Sequence, residues 1–158
     1  MEPRLNPFKA APQAYQAMSA LQAYTNSSGL EAPLMELVKM RASQINGCAY
    51  CLDMHSKDAR AAGETEQRLY LLNAWQESPF YSDRERAALE WTEALTKITE
   101  GHVSDEVYDR VKPHFSDEAL ANLSLAIVAI NGWNRLCIAF RVEPGHYQPK
   151  AAQAKSAV

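Results

Sequence analysis

Residues 117–140 place the strongest constraint on what this chain can fold into. Ser116 is a good helix N-cap, and the acids Asp117 and Glu118 after it suit the positive end of a helix dipole. From Leu120 to Ile138 the run is then apolar on most sides, until Pro144-Gly145 ends it. A helix without a polar face cannot lie on a surface; it must be wrapped by other helices or meet another subunit. Phe115 and Leu120 have the spacing of a hydrophobic staple across its start. Its most strongly apolar run, Leu125 to Ile130, is far too short to span a bilayer.

The rest of the chain supplies helices to do the wrapping. A first helix is expected from Lys9 to Ala23, with Tyr15, Met18 and Leu21 on one stripe. A second begins near Pro33, a residue suited to the first helical position, and runs to about Ile45 with Leu34, Leu37, Val38 and Ile45 on one face. A third runs from about Cys48 to Ala62, with Gly63 as its stop, and a shorter one from Glu64 to Ala74. Ser82 and Glu85 have capping-box spacing and open a helix to about Ile98. Val103-Ser104-Asp105-Glu106 marks another start. No stretch alternates convincingly with period two, so strands are not expected. The fold class is all-α: a single-domain bundle of six to eight helices over residues 1–158, with residues 151–158 as a loose tail.

Composition narrows the function. A net charge of −3 argues against nucleic acid as the main partner, and no polybasic run suits a membrane surface. Met1 to Pro7 has no apolar stretch of the kind a signal peptide needs. Three cysteines, two of them clustered, do not make a secreted disulfide framework, so the cytoplasm is the default compartment.

The clustered pair carries the chemistry. Cys48, Cys51 and His55 have the spacing C-x-x-C-x-x-x-H. On a helix, Cys51 lies roughly 300° and His55 about 340° round from Cys48, so all three share one narrow face. Asn46-Gly47 is a turn signal, which puts Cys48 at the head of the new helix. Unpaired N–H groups and the macrodipole there favour thiolate over thiol. Cysteines at i and i+3 come close enough for a disulfide, and a histidine one turn on can move a proton. The motif therefore reads first as a redox dithiol with a built-in base. A zinc half-site using Cys48, Cys51 and His55 is the first alternative, although no second close ligand pair follows. A zinc-stabilised interaction module, a disulfide oxidoreductase acting on protein partners, or a pair of inert cysteines stays open at this point.

The remaining polar and aromatic residues have bland readings. Cys137, within Leu136-Cys137-Ile138, reads as a buried structural thiol. His102 and His114 fall near helix ends, Asp53 reads as exposed, and Trp75, Trp91 and Trp133 as core. Tyr50 either lines a pocket entrance or packs. Glu36, alone among Met35, Leu37, Val38 and Met40, reads as a solvated glutamate. On one straight rod it would point about 120° away from Cys48. Only a fold-back at Asn46-Gly47 brings it beside the dithiol.

The stretch from Glu36-Leu37-Val38 through Arg41-Ala42-Ser43-Gln44-Ile45-Asn46-Gly47-Cys48-Ala49-Tyr50-Cys51 to Met54-His55 resembles the core of the AhpD-like alkylhydroperoxidases, within the carboxymuconolactone decarboxylase superfamily. Ala129-Ile130-Asn131-Gly132-Trp133-Asn134-Arg135-Leu136 is similar to that family's last helix, and the resemblance covers about residues 30–145. It implies an all-helical homo-oligomer, a trimer or hexamer, and an enzyme: a thiol peroxidase that needs no metal or haem. Its substrate would be an organic hydroperoxide and its reductant an external dithiol or redox protein. By position, Cys51 matches the peroxide-attacking cysteine, Cys48 its resolving partner, and Glu36 and His55 the proton-relay acid and base. This overturns the bland reading of Glu36. Some members carry a histidine between the cysteines, where this chain has Tyr50. The decarboxylase branch lacks the paired cysteines, which argues against lactone decarboxylation.

Overall fold

The computed structural model describes residues 2–149; the expected loose tail over 151–158 lies outside them. Among the described residues there are nine α-helices and no strand. They are α1 (Pro7–Ala10), α2 (Pro12–Asn26), α3 (Ala32–Asn46), α4 (Ala49–Ala61), α5 (Glu66–Leu71), α6 (Asp83–Thr96), α7 (Ile98–Gly101), α8 (Asp105–Val111) and α9 (Asp117–Phe140). The expected all-α class holds. The count exceeds six to eight because α1 and α7 are single turns that helical periodicity is too short to register.

Caps explain where the helices start. Ser82 and Glu85 form the expected capping box at α6. The Ser104 hydroxyl accepts from the Val107 N–H and the Ser116 hydroxyl from the Ala119 N–H, opening α8 and α9. Phe115 and Leu120 are both buried in one cluster with Leu123 and Ile127. At its other end, α9 is finished by the N-terminal segment. The Arg4 N–H donates to the Phe140 carbonyl at 3.2 Å and the Arg4 guanidinium to that of Ala139 at 2.9 Å, which satisfies carbonyls that a helix end leaves open.

The centre of the molecule is α3, which packs against α4, α6 and α9, while α9 packs against α2, α3, α4 and α6. Leu37, Val38, Leu89, Leu123, Ile127 and Ile130 are almost wholly enclosed between them. As a whole, α9 is long and apolar enough to cross a membrane, with mean hydropathy 1.5 over its best window. Its packing gives the better account: it carries Asn122 and Asn134, both buried and hydrogen-bonded to side chains of other helices. Such polar groups would be costly in hydrocarbon.

Two joints set the position of the site. Gly47 ends α3 in the left-handed region at φ 70°, ψ 34°, and the Cys48 N–H returns to the Ser43 carbonyl at 3.0 Å. The chain therefore folds back and α4 lies along α3. A polar network, buried at Ser43 and Asn134, then fixes this corner to α9. The Asn46 side-chain amide donates to Oδ1 of Asn131 and of Asn134 at 2.9 and 2.8 Å, and the Asn134 side-chain amide donates to the Ser43 hydroxyl at 3.0 Å.

Candidate active site

Cys48 is the N-cap of α4, and its sulfur accepts from the Cys51 N–H at 3.4 Å. The sequence reading put it one residue later, inside the first turn, but the physical consequence is the same: an open N–H of the helix end points at this sulfur. The two sulfurs are 2.7 Å apart, and both residues are about 1% exposed. His55 follows Cys51 by one turn of α4 and is also buried.

Glu36 reaches this face from α3, as the fold-back requires. Its Oε2 lies 2.9 Å from His55 Nδ1, and its Oε1 lies 2.8 Å from Lys39 Nζ. Burial pushes the Glu36 carboxyl up, but the hydrogen bond with His55 and the charge of Lys39 outweigh burial and hold it below the usual carboxylate range. An ionised carboxylate only accepts, so His55 Nδ1 carries the proton in that bond and Nε2 is left to exchange one. Lys39, itself buried, is the member of this group that the sequence reading missed. Its i, i+3 spacing from Glu36 was the available signal.

Cys137 is a buried core thiol, as the sequence predicts, but not an isolated one. It is buried, yet its sulfur lies within 4.8 Å of those of both Cys48 and Cys51. Asn134 explains the placement: one turn earlier on α9, it is pinned to the end of α3 and faces the same sulfurs. Within the cluster the negative charge belongs on Cys48. Hydrogen bonds from Cys137 and Cys51, the Cys51 N–H and Asn134 pull it far down, against burial. Cys51 moves the other way. A hydrogen bond from Cys137 lowers it, but its bond to the Cys48 sulfur, burial and the Cys48 charge raise it well above an ordinary thiol. The hydrogen bond to Cys48, followed by that to Cys51 and by burial, keeps Cys137 protonated.

A cavity of about 470 Å³ opens onto this face. Cys51, His55, Glu36, Lys39, Asp58 and Cys137 form its polar and sulfur-bearing side, and Phe8, Tyr15, Tyr50, Met54 and Trp133 an apolar one. Phe8, Tyr15 and Trp133 pack as an aromatic triangle with centroids 4.8 to 6.3 Å apart. Trp133 is thus half-buried at the cavity rather than core, because the last turns of α9 meet α1 and α2 here. Tyr50 takes the pocket-lining position of its two readings. Burial raises its hydroxyl above the usual tyrosine range. Asp53 is half-buried rather than exposed: it accepts from Lys57 and from the Gly145 N–H, holding residues 143–149 over α4. The Tyr147 hydroxyl completes that strap by donating to Asp58 at 2.7 Å. His102 and His114 lie at helix ends and outside the cavity.

Two groups have ligand atoms close enough together for a metal: Cys48, Cys51 and Cys137, and separately Glu36, His55 and Asp58. The zinc alternative grouped His55 with the two cysteines, but the imidazole is engaged by Glu36 and the third sulfur is Cys137. Neither group reaches the four ligands of a closed structural zinc site among the described residues.

The chain has relatives in sequence and in fold. The carboxymuconolactone decarboxylase family profile matches residues 12–94. The uncharacterized protein YdfG of Bacillus subtilis is 47% identical over 139 residues, covering 88% of this chain and 95% of YdfG. A crystal structure from Agrobacterium tumefaciens, of a protein of unknown function suggested to be the antioxidant defence protein AhpD, superposes with a TM-score of 0.89. It is 45% identical and covers 92% of this chain and all of that one. The debrominase Bmp8 shares the fold at a TM-score of 0.76 and 22% identity, over 88% of this chain and 75% of its own. Sequence, fold and the Cys48–Cys51 corner together make this chain an AhpD-like member of the carboxymuconolactone decarboxylase family.

Proposed function

We propose that the protein is a thiol-dependent peroxidase that reduces organic hydroperoxides. The observation that carries the reading is the contact of the Cys48 and Cys51 sulfurs, 2.7 Å apart, in one site with the Glu36–His55 pair. The cavity adds support, because its aromatic wall suits an alkyl or aryl group beside a reactive sulfur.

Cys51 gives up its proton to His55 and attacks the outer oxygen of the hydroperoxide. The O–O bond breaks, Cys51 becomes a sulfenic acid, and the alkoxide takes a proton through His55 to leave as an alcohol. The Cys48 thiolate then attacks the Cys51 sulfur, the S–O bond breaks, and hydroxide leaves with a proton as water. An external dithiol reduces the resulting disulfide, with Cys48 as the better leaving group. Glu36 orients His55 and balances its charge when it holds the extra proton. Neither metal nor haem has a step in this cycle.

The burial of both sulfurs also bears on what meets them. Sulfurs so enclosed are more readily met by a small hydroperoxide than by the disulfide of a folded protein. This favours peroxide reduction over disulfide exchange with protein partners and calls for a narrow reductant. A reducing cytoplasm suits the cycle, and the family resemblance supports a trimer or hexamer.

The test is the rate of tert-butyl hydroperoxide consumption with dithiothreitol, in wild type against Cys51→Ser. Loss of nearly all turnover in the variant is expected; equal rates would sink the proposal. Metal analysis of the same protein preparation separates the zinc alternative, which requires tightly held zinc and no titratable thiol.

A further inference from the structure

Cys137 has no part in the cycle above, although its sulfur stands within 4.8 Å of both sulfurs that do. It sits on α9, whose register against the head of α4 is fixed by Asn134 through Ser43 and Asn46. Cys137 also lines two cavities. One holds Cys51 and His55; the other, about 530 Å³, holds Cys48 with Gly47, Arg141 and Pro144. The sulfur centre is thus a group of three buried thiols, contributed by two helices and bordered by two cavities.

Resting on the peroxidase reading of this same site, we propose that Cys137 is a second resolving thiol, which condenses with the sulfenic acid on Cys51 to give a disulfide between α4 and α9. The S–S bond forms as the Cys51 S–O bond breaks, and hydroxide departs with the Cys137 proton as water. Cys137 is oxidised from thiol to disulfide, and the sulfenic sulfur is reduced to disulfide. The same linkage is reached by exchange. The Cys137 sulfur, its proton passed to His55 or water in the shared cavity, attacks Cys51 in the Cys48–Cys51 disulfide and expels the Cys48 thiolate, with no net oxidation. The Cys51 N–H and Asn134 hold the charge of that leaving group. Either route frees Cys48 toward the second cavity, whose lining includes neither Glu36 nor His55.

The chain offers a direct readout. Trypsin leaves Cys48 and Cys51 together on peptide 42–57 and places Cys137 on peptide 136–141. A Cys48–Cys51 disulfide therefore stays within one peptide, and a disulfide to Cys137 joins two. The reduced full chain is given one equivalent of tert-butyl hydroperoxide, its remaining thiols are alkylated, and the peptides are mapped by mass spectrometry. Wild type is expected to yield joined peptides beside the internal disulfide. Cys48→Ser is expected to join Cys51 to Cys137, with dimedone-trapped sulfenic acid at least about tenfold below that of the Cys48→Ser, Cys137→Ser double variant. The proposal is overturned if wild type forms the internal disulfide alone, or if Cys48→Ser accumulates as much sulfenic acid as the double variant with Cys137 free. A wild type that forms neither disulfide nor sulfenic acid refutes the peroxidase reading itself, and this proposal with it. The wild-type arm does not depend on any variant folding.

Discussion

At the scale of single residues, Glu36 is the most instructive position. It bonds to His55 and Lys39 at once, so its charge is held in a largely buried place. Its folded pKa lies below the ordinary value of 4.5. Such a group adds stability that is fully present above 4.5 and is lost as pH falls through the lowered folded value. Glu36→Gln keeps the shape and removes the charge. We expect it to flatten that acid limb in a series of denaturant melts, and to slow peroxide turnover while leaving the helical circular dichroism unchanged. A variant with wild-type turnover would remove Glu36 from the relay. Spacing alone did not reveal this residue, because nineteen positions separate it from His55 and only the fold-back unites them. The family resemblance supplied it. Cys137 was less legible still: it stands beside the dithiol through contacts between residues far apart in sequence, and one cysteine in an apolar helix has no periodic signature.

At the scale of elements, the joint between α3 and α4 matters most. Gly47 holds φ at 70°, with open space where a Cβ would sit, so only backbone strain opposes a side chain there. Gly47→Ala should lower stability by roughly 1–2 kcal/mol in urea melts, the cost of a left-handed L-residue. Turnover should fall further than the unfolded fraction explains, since the same joint sets the distance from Glu36 to His55. An unchanged midpoint and rate would show that the joint tolerates ordinary residues. The sequence announced this turn through Asn46-Gly47, and it announced α6, α8 and α9 through serine caps that the structure uses as expected. The single turns α1 and α7 escaped notice, as did the 3₁₀ continuation after α8, because each is too short to show a period, while the helix expected over Glu64–Ala74 ends in a 3₁₀ turn from Leu72.

At the scale of the whole molecule, α9 serves two surfaces. Leu123, Ile127 and Ile130 fill the core, while Leu125, Val128 and Ile138 stand exposed on its outer side. The sequence showed a helix apolar on most sides but not which side the chain itself would cover. Here α2, α3, α4 and α6 leave a strip bare. Self-association, which the family resemblance implies, would cover it. Sedimentation velocity should therefore find an oligomer, and Val128→Glu should shift it toward monomer with secondary structure intact. A wild-type monomer at micromolar concentration would contradict this. One neighbour of the sulfur centre has a further consequence. Trp133 packs on the cluster formed by Cys48, Cys51 and Cys137, whereas Trp75 and Trp91 belong to other clusters. An excited indole readily passes an electron to a touching disulfide and less readily to a thiol. Oxidation of the sulfur centre is therefore expected to dim the ultraviolet emission of Trp133, which spectra of the reduced and the peroxide-treated protein check without dye or label.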